Sequence, residues 1–144
     1  MPYINIYLHI IWSTKNREKT ITKELKPLLL DHIKSNANEK GIFIDTVNCV
    51  QDHIHLIVSL GTDHAIGKVV QLIKGESSHW VNKNKLVKGK FEWQDDYFAV
   101  SVSESGLDRV REYIKNQERH HEKKTFKQEY DEFMDKYGFV LIKG

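Results

Sequence analysis

The stretch CVQDHIHLIV, residues 49–58, sets two histidines one residue apart inside an otherwise apolar run. Side chains alternate across a strand, so His53 and His55 share one face while Ile54, Leu56 and Val58 take the other. Two readings follow. Either the imidazoles are hydrogen-bonded groups within a core, or the strand carries chemistry into a site. Two neutral imidazoles one strand repeat apart can both reach one metal ion. In a chain with eight histidines, a three-residue pattern leaves both readings open.

The surrounding pattern predicts the fold. Residues 42–50 and 53–60 read as two strands that turn near Gln51 and Asp52, and residues 3–12, rich in Ile, Tyr and Trp, read as a first strand. Between them, Leu25, Leu28, Leu29 and Ile33 fall at helical spacing, with Thr22 as N-cap and Gly41 as the stop. A second helix is marked from His64 to about Lys85, a fourth strand over residues 97–103, and a third helix after Ser105, which with Asp108 resembles a capping box. Phe126, Tyr130, Phe133 and Tyr137 are spaced like a last amphipathic helix over residues 126–137. The order predicts an α+β fold: a ferredoxin-like sandwich, an antiparallel sheet with helices on one face plus C-terminal helices.

At 144 residues this reads as one domain, residues 1–144, long enough to bury a core. The 40% hydrophobic and 29% charged balance is that of a soluble protein. A net charge of +2 means that nucleic-acid binding would have to come from local clustering. Cys49, the only cysteine, allows no internal disulfide. No apolar run approaches the roughly 20 residues of a membrane span, and the N-terminus lacks the layout of a signal peptide. The expectation is a cytoplasmic protein.

The third helix carries a second constellation. Leu107, Val110 and Ile114 form an apolar stripe, and Tyr113 and Gln117 sit together at its edge, four residues apart. In the plain reading Tyr113 is an edge residue with its hydroxyl in water. In the sharper one its oxygen is a nucleophile, needing activation because a phenol has a pKa near 10, and the Gln117 amide oxygen lies close enough to join a metal.

QDHIHLIV followed by YIKNQ resembles the single-tyrosine HUH transposases of the insertion sequence 200/605 family. HIIWSTKNRE, VVQLIKGESSHW, FEWQDDYFAVSVSES and YIKNQERHHEKKTFKQEY extend the resemblance, in order, over nearly the whole chain. The resemblance implies that His53 and His55 bind a divalent metal, Mg2+ or Mn2+, with Gln117 as third protein ligand. It implies that Tyr113 attacks a phosphodiester of single-stranded DNA, giving a 5′-phosphotyrosine and a 3′-hydroxyl, at element ends that carry imperfect hairpins. It further implies a homodimer whose active sites are shared in trans, with residues 103–106, SESG, as the joint that lets the helix cross.

Two basic loops are candidate DNA contacts. Lys83, Lys85, Lys88 and Lys90 lie close together beside Trp80, Phe91 and Trp93, and Lys15 and Arg17 lie in a loop with Lys19. Lysines with interleaved aromatics suit a phosphate backbone and unpaired bases; the same pattern describes a solvated loop with core aromatics at its ends. Asp95 and Asp96 depart from the family, where a glycine or a less acidic pair is expected. The alternative function is a domesticated, non-mobile nucleic-acid-binding relative on the same fold. A phosphodiesterase using histidines alone would need a second alternating pair, and the adjacent histidines of RHHEKK do not supply one.

Overall fold

The computed structural model describes residues 3–118 together with Gln128 and Glu132. Apart from Gln128 and Glu132, the expected tail helix over residues 126–137 lies outside that description, as do the RHHEKK histidines. The chain runs β1 (Tyr7–Ser13), α1 (Leu25–Glu39), β2 (Phe43–Cys49), β3 (His53–Ser59), α2 (Ile66–Lys83), β4 (Phe98–Val102) and α3 (Leu107–Lys115). The four strands form one antiparallel sheet in the order β2-β3-β1-β4. This is the predicted α+β, ferredoxin-like arrangement.

Alternation along the strands divides the sheet into two faces. Ile10 and Trp12 of β1, Val47 and Cys49 of β2, and Ile54, Leu56 and Val58 of β3 bury themselves against Leu25, Leu29 and Ile33 of α1 and Val69, Val70 and Ile73 of α2. The opposite face receives α3, where Ile57 packs with Leu107 and Ile114, and Tyr7, Val110 and Tyr113 border the cluster. Antiparallel partners share a face, so the pairs Ser13↔His53, Ile11↔His55 and His9↔Ile57 place all three histidines on the α3 side. The turn before β3 is fixed from outside. Ile21 donates its N–H to the Gln51 carbonyl at 3.0 Å and Thr14 to the Asp52 carbonyl at 2.8 Å.

Thr22 caps α1 as expected, its Oγ1 accepting from the Leu25 N–H at 3.1 Å. The cap before α3 differs from the capping box read at Ser105. Ser103 Oγ accepts from the Gly106 N–H, and a single 3-10 turn, Glu104–Gly106, leads into the helix. Asp108 pairs instead with Arg111, at 2.9 Å. Two serines two residues apart, Ser103 and Ser105, cannot be told apart as caps from the sequence, because either can serve.

Candidate active site

His53 and His55 are fully buried, 0% and 1% exposed. Burying an imidazole without partners is costly, and each ring is met by a specific neighbour. His53 Nδ1 lies 2.7 Å from Asp52 Oδ1. Asp52 is itself buried and its backbone carbonyl takes the Thr14 N–H, so the carboxylate is held as firmly as the turn. An ionised carboxylate only accepts, which makes His53 the donor from Nδ1 and leaves the lone pair on Nε2. His55 Nδ1 lies 2.9 Å from Nε2 of His9, a buried β1 residue.

The helix brings its two polar residues to the same place. Gln117, just beyond α3, is 0% exposed, and its Nε2 lies 3.3 Å from His53 Nε2. A carboxamide carries a donor and an acceptor on the same planar group, so a half-turn of Gln117 presents either end to the histidine. The half-buried Tyr113 ring stands edge-on to two imidazoles, with centroids 5.7 Å from His55 and 6.4 Å from His9. All these residues belong to one chain. Within the single chain α3 packs on its own sheet; the crossing implied by the resemblance concerns a pair of subunits.

Two polar contacts seat the helix besides the apolar cluster. Arg111 forks onto Asp45 of β2, with Nε to Oδ2 at 2.8 Å and NH2 to Oδ1 at 2.6 Å. This bidentate bond holds the Asp45 carboxyl below the usual carboxylate range. Asn48 Nδ2 donates to the Ile114 carbonyl at 2.8 Å, covering a carbonyl that the helix end leaves open.

Of the basic residues, the fold brings Lys15 and Lys90 together. Both pair with Glu92, at 3.2 and 2.9 Å, and Lys90 foremost, then Lys15, holds its carboxyl below the usual range. Both line a groove of about 690 Å³ between α2 and residues 90–97. Arg17, Lys83, Lys85 and Lys88 are exposed but do not line it. The basic loop carries consecutive left-handed residues, Asn16 at φ 57° and Arg17 at φ 55°, a conformation uncommon outside glycine. The aromatics expected to stack on bases are spent largely elsewhere. Phe91 and Trp93 are buried in the core, the latter donating from Nε1 to Ser77 Oγ at 2.9 Å, and Trp80 stacks on His32. The acidic departure has a structural counterpart in Lys74, whose ammonium sits on the Gln94 and Asp95 carbonyls, at 2.5 and 2.9 Å. Burial lowers its pKa while Asp95 and Asp96 oppose that.

The sequence reading missed His9 and Asp52 as partners of the histidine pair. Asp52 adjoins the motif, but β1 contributes His9 only through the β1–β3 register. Among the described residues, no three His, Cys, Asp or Glu side chains gather as a metal cluster; the donor set that converges is two imidazoles and the carboxamide of Gln117.

Residues 2–117 match the family described as "Transposase IS200 like". The chain is 30% identical over 115 residues to the ISDra2 transposase TnpA of Deinococcus radiodurans, covering 76% of this chain and 81% of that protein. A crystal structure of a Deinococcus radiodurans protein described as a transposase superposes with a TM-score of 0.65 at 26% identity, over 81% of this chain and 95% of the other. A REP-associated tyrosine transposase bound to a REP hairpin shares the fold, with a TM-score of 0.63 at 17% identity over 84% of this chain and 72% of its own.

Proposed function

The chain belongs to the family of IS200-like transposases, and from that premise we propose that it cuts and rejoins single-stranded DNA through a covalent bond to Tyr113. The observation that carries this reading is the meeting of Tyr113 and Gln117 with His53 and His55 in one buried cluster. Attack by the phenol oxygen forms the bond to phosphorus while the bond to the 3′ oxygen breaks. The departing oxygen takes up a proton as the phenol loses one, leaving a 5′-phosphotyrosine and a 3′-hydroxyl. Because the phosphotyrosine bond stores the cut, a second 3′-hydroxyl can reverse it and transfer the strand.

The donor set fits a divalent cation. Asp52 puts the His53 lone pair on Nε2, facing the Gln117 carboxamide, and His53, His55 and Gln117 would hold the ion. Such a cation, when bound, offsets the charge that grows on the non-bridging phosphate oxygens. Imidazole donors suit Mn2+ at least as well as Mg2+, which prefers oxygen. The seating of α3 gives Tyr113 a fixed approach, and the burial of the histidine rings keeps water from them.

We assign as the DNA partner a single strand with an imperfect hairpin, a reading supported by the fold neighbour bound to a REP hairpin, and place Lys15 and Lys90 on its phosphates. Among the described residues no helix is long and apolar enough to cross a membrane. The test is to incubate the purified chain with the single-stranded flanks of its own gene and Mn2+. A protein–DNA adduct that survives a denaturing gel is expected from the wild type and not from Tyr113→Phe. Hairpin binding with no adduct in either would favour the non-mobile binding relative.

A further inference from the structure

We infer that His9 is a positioning residue for the metal site, holding His55 as the tautomer whose lone pair lies on Nε2. The inference rests on the reading of His53, His55 and Gln117 as metal ligands.

His9 and His55 are diagonal neighbours on adjacent strands, since His9 pairs with Ile57 and His55 is the next residue on that face. Their rings are 5.2 Å apart at 29°, and His9 Nε2 meets His55 Nδ1 at 2.9 Å. A hydrogen bond between two neutral imidazoles needs one donor and one acceptor. If His9 donates, the His55 proton sits on Nε2 and that nitrogen cannot ligate. If His55 donates, His9 accepts on Nε2 and carries its own proton on Nδ1, and Nε2 of His55 can bind a cation. A ligated imidazole is the better donor from its other nitrogen, so metal binding and the His9 contact favour the same tautomer. The cluster is then built twice over on one plan: Asp52 takes Nδ1–H of His53, and His9 takes Nδ1–H of His55. Asp52 adjoins the strand it serves, whereas His9 reaches across from β1 and ties the ligand to the sheet.

The test measures Mn2+ binding to the purified full chain by calorimetry and by loss of the aqueous Mn2+ electron paramagnetic signal. His9→Leu keeps bulk and removes the acceptor; His9→Gln places a carboxamide oxygen near the position of Nε2. Leucine is expected to weaken Mn2+ binding about 10- to 100-fold, and glutamine to recover most of that loss. Cleavage by the leucine variant should recover as Mn2+ is raised, which a collapse of the fold would not allow. Wild-type affinity in the leucine variant overturns the role of His9, and so does glutamine that binds no better than leucine. No saturable binding in the wild type overturns the metal reading itself, and the inference with it. Should His9→Leu fail to fold, the tautomer is read in the metal-free wild type by long-range proton–nitrogen correlation. A proton on Nδ1 of His55 supports the inference, and a proton on Nε2 overturns it.

Discussion

Complete burial changes what replacing a histidine does. On an open site surface, truncation of His53 or His55 to alanine would leave the fold intact. Both rings are instead enclosed, and His53→Ala or His55→Ala leaves a hole and removes the imidazole that meets Asp52 or His9. Each is expected to abolish metal-dependent cleavage and also to lower stability by about 1–3 kcal/mol, seen by thermal melts beside cleavage assays in Mn2+. Cleavage at the wild-type rate would refute the ligand assignment. Tyr113→Phe is a cleaner change, because the ring keeps its edge contacts with His9 and His55 and only the attacking oxygen goes. Covalent adducts should vanish while hairpin binding and the melting temperature stay near wild type; adducts that persist would move the nucleophile to Tyr97 or Tyr130. Spacing made these residues legible in the sequence: alternation put both histidines on one face, and a four-residue interval put Tyr113 and Gln117 on one side of a helix. His9 was not legible, since a tyrosine- and isoleucine-rich strand gives no sign of which residue its neighbour will set opposite.

Strand and helix identities were legible for the same reason that the sheet forms, because apolar residues repeat at two-residue intervals in β3 and at three to four in α1 and α2. What the pattern could not give was the seat of α3, which depends on two polar residues of β2. Asp45 and Asn48 look like ordinary edge-strand residues until Arg111 and the Ile114 carbonyl meet them. The Asp45–Arg111 fork has a consequence for acid stability. The carboxyl is held below its ordinary value of 3.8 in the folded chain. Its stabilising effect is therefore present above that value and is lost as pH falls through the lower folded one. Asp45→Asn should speed amide exchange in α3 at neutral pH, and the difference from wild type should shrink as the pH drops below about 4. A difference that stays constant down to pH 2 would mean that the ion pair does not hold the helix.

For the molecule as a whole, the same contacts could be satisfied within one chain or between two. A helix exchanged between subunits keeps its fork onto Asp45, its Asn48 cap and its burial of Ile57, so a swap costs little at the seat itself and is decided at the joint. That joint, expected to be loose, is a capped turn: Ser103 accepts from Gly106, whose own Cα faces Ser103 Oγ so closely that a Cβ would lie 3.1 Å away. Within a chain or across a pair, the turn delivers α3 onto the same seat, so the two arrangements differ in which subunit supplies Tyr113. Subunit mixing tests this directly. His53→Ala protein retains Tyr113, Tyr113→Phe protein retains the histidines, and the two are co-expressed with different tags so that a mixed pair can be purified. With sites built within a chain, every site keeps one defect and the mixture should stay inactive. With sites shared in trans, a mixed dimer contains one site with both defects and one with neither, and the purified mixed pair would recover cleavage to at most about half of wild type. Rescue at that level would show that α3 leaves the seat seen here for the equivalent one on a partner, with the turn at residues 103–106 opening to let it cross.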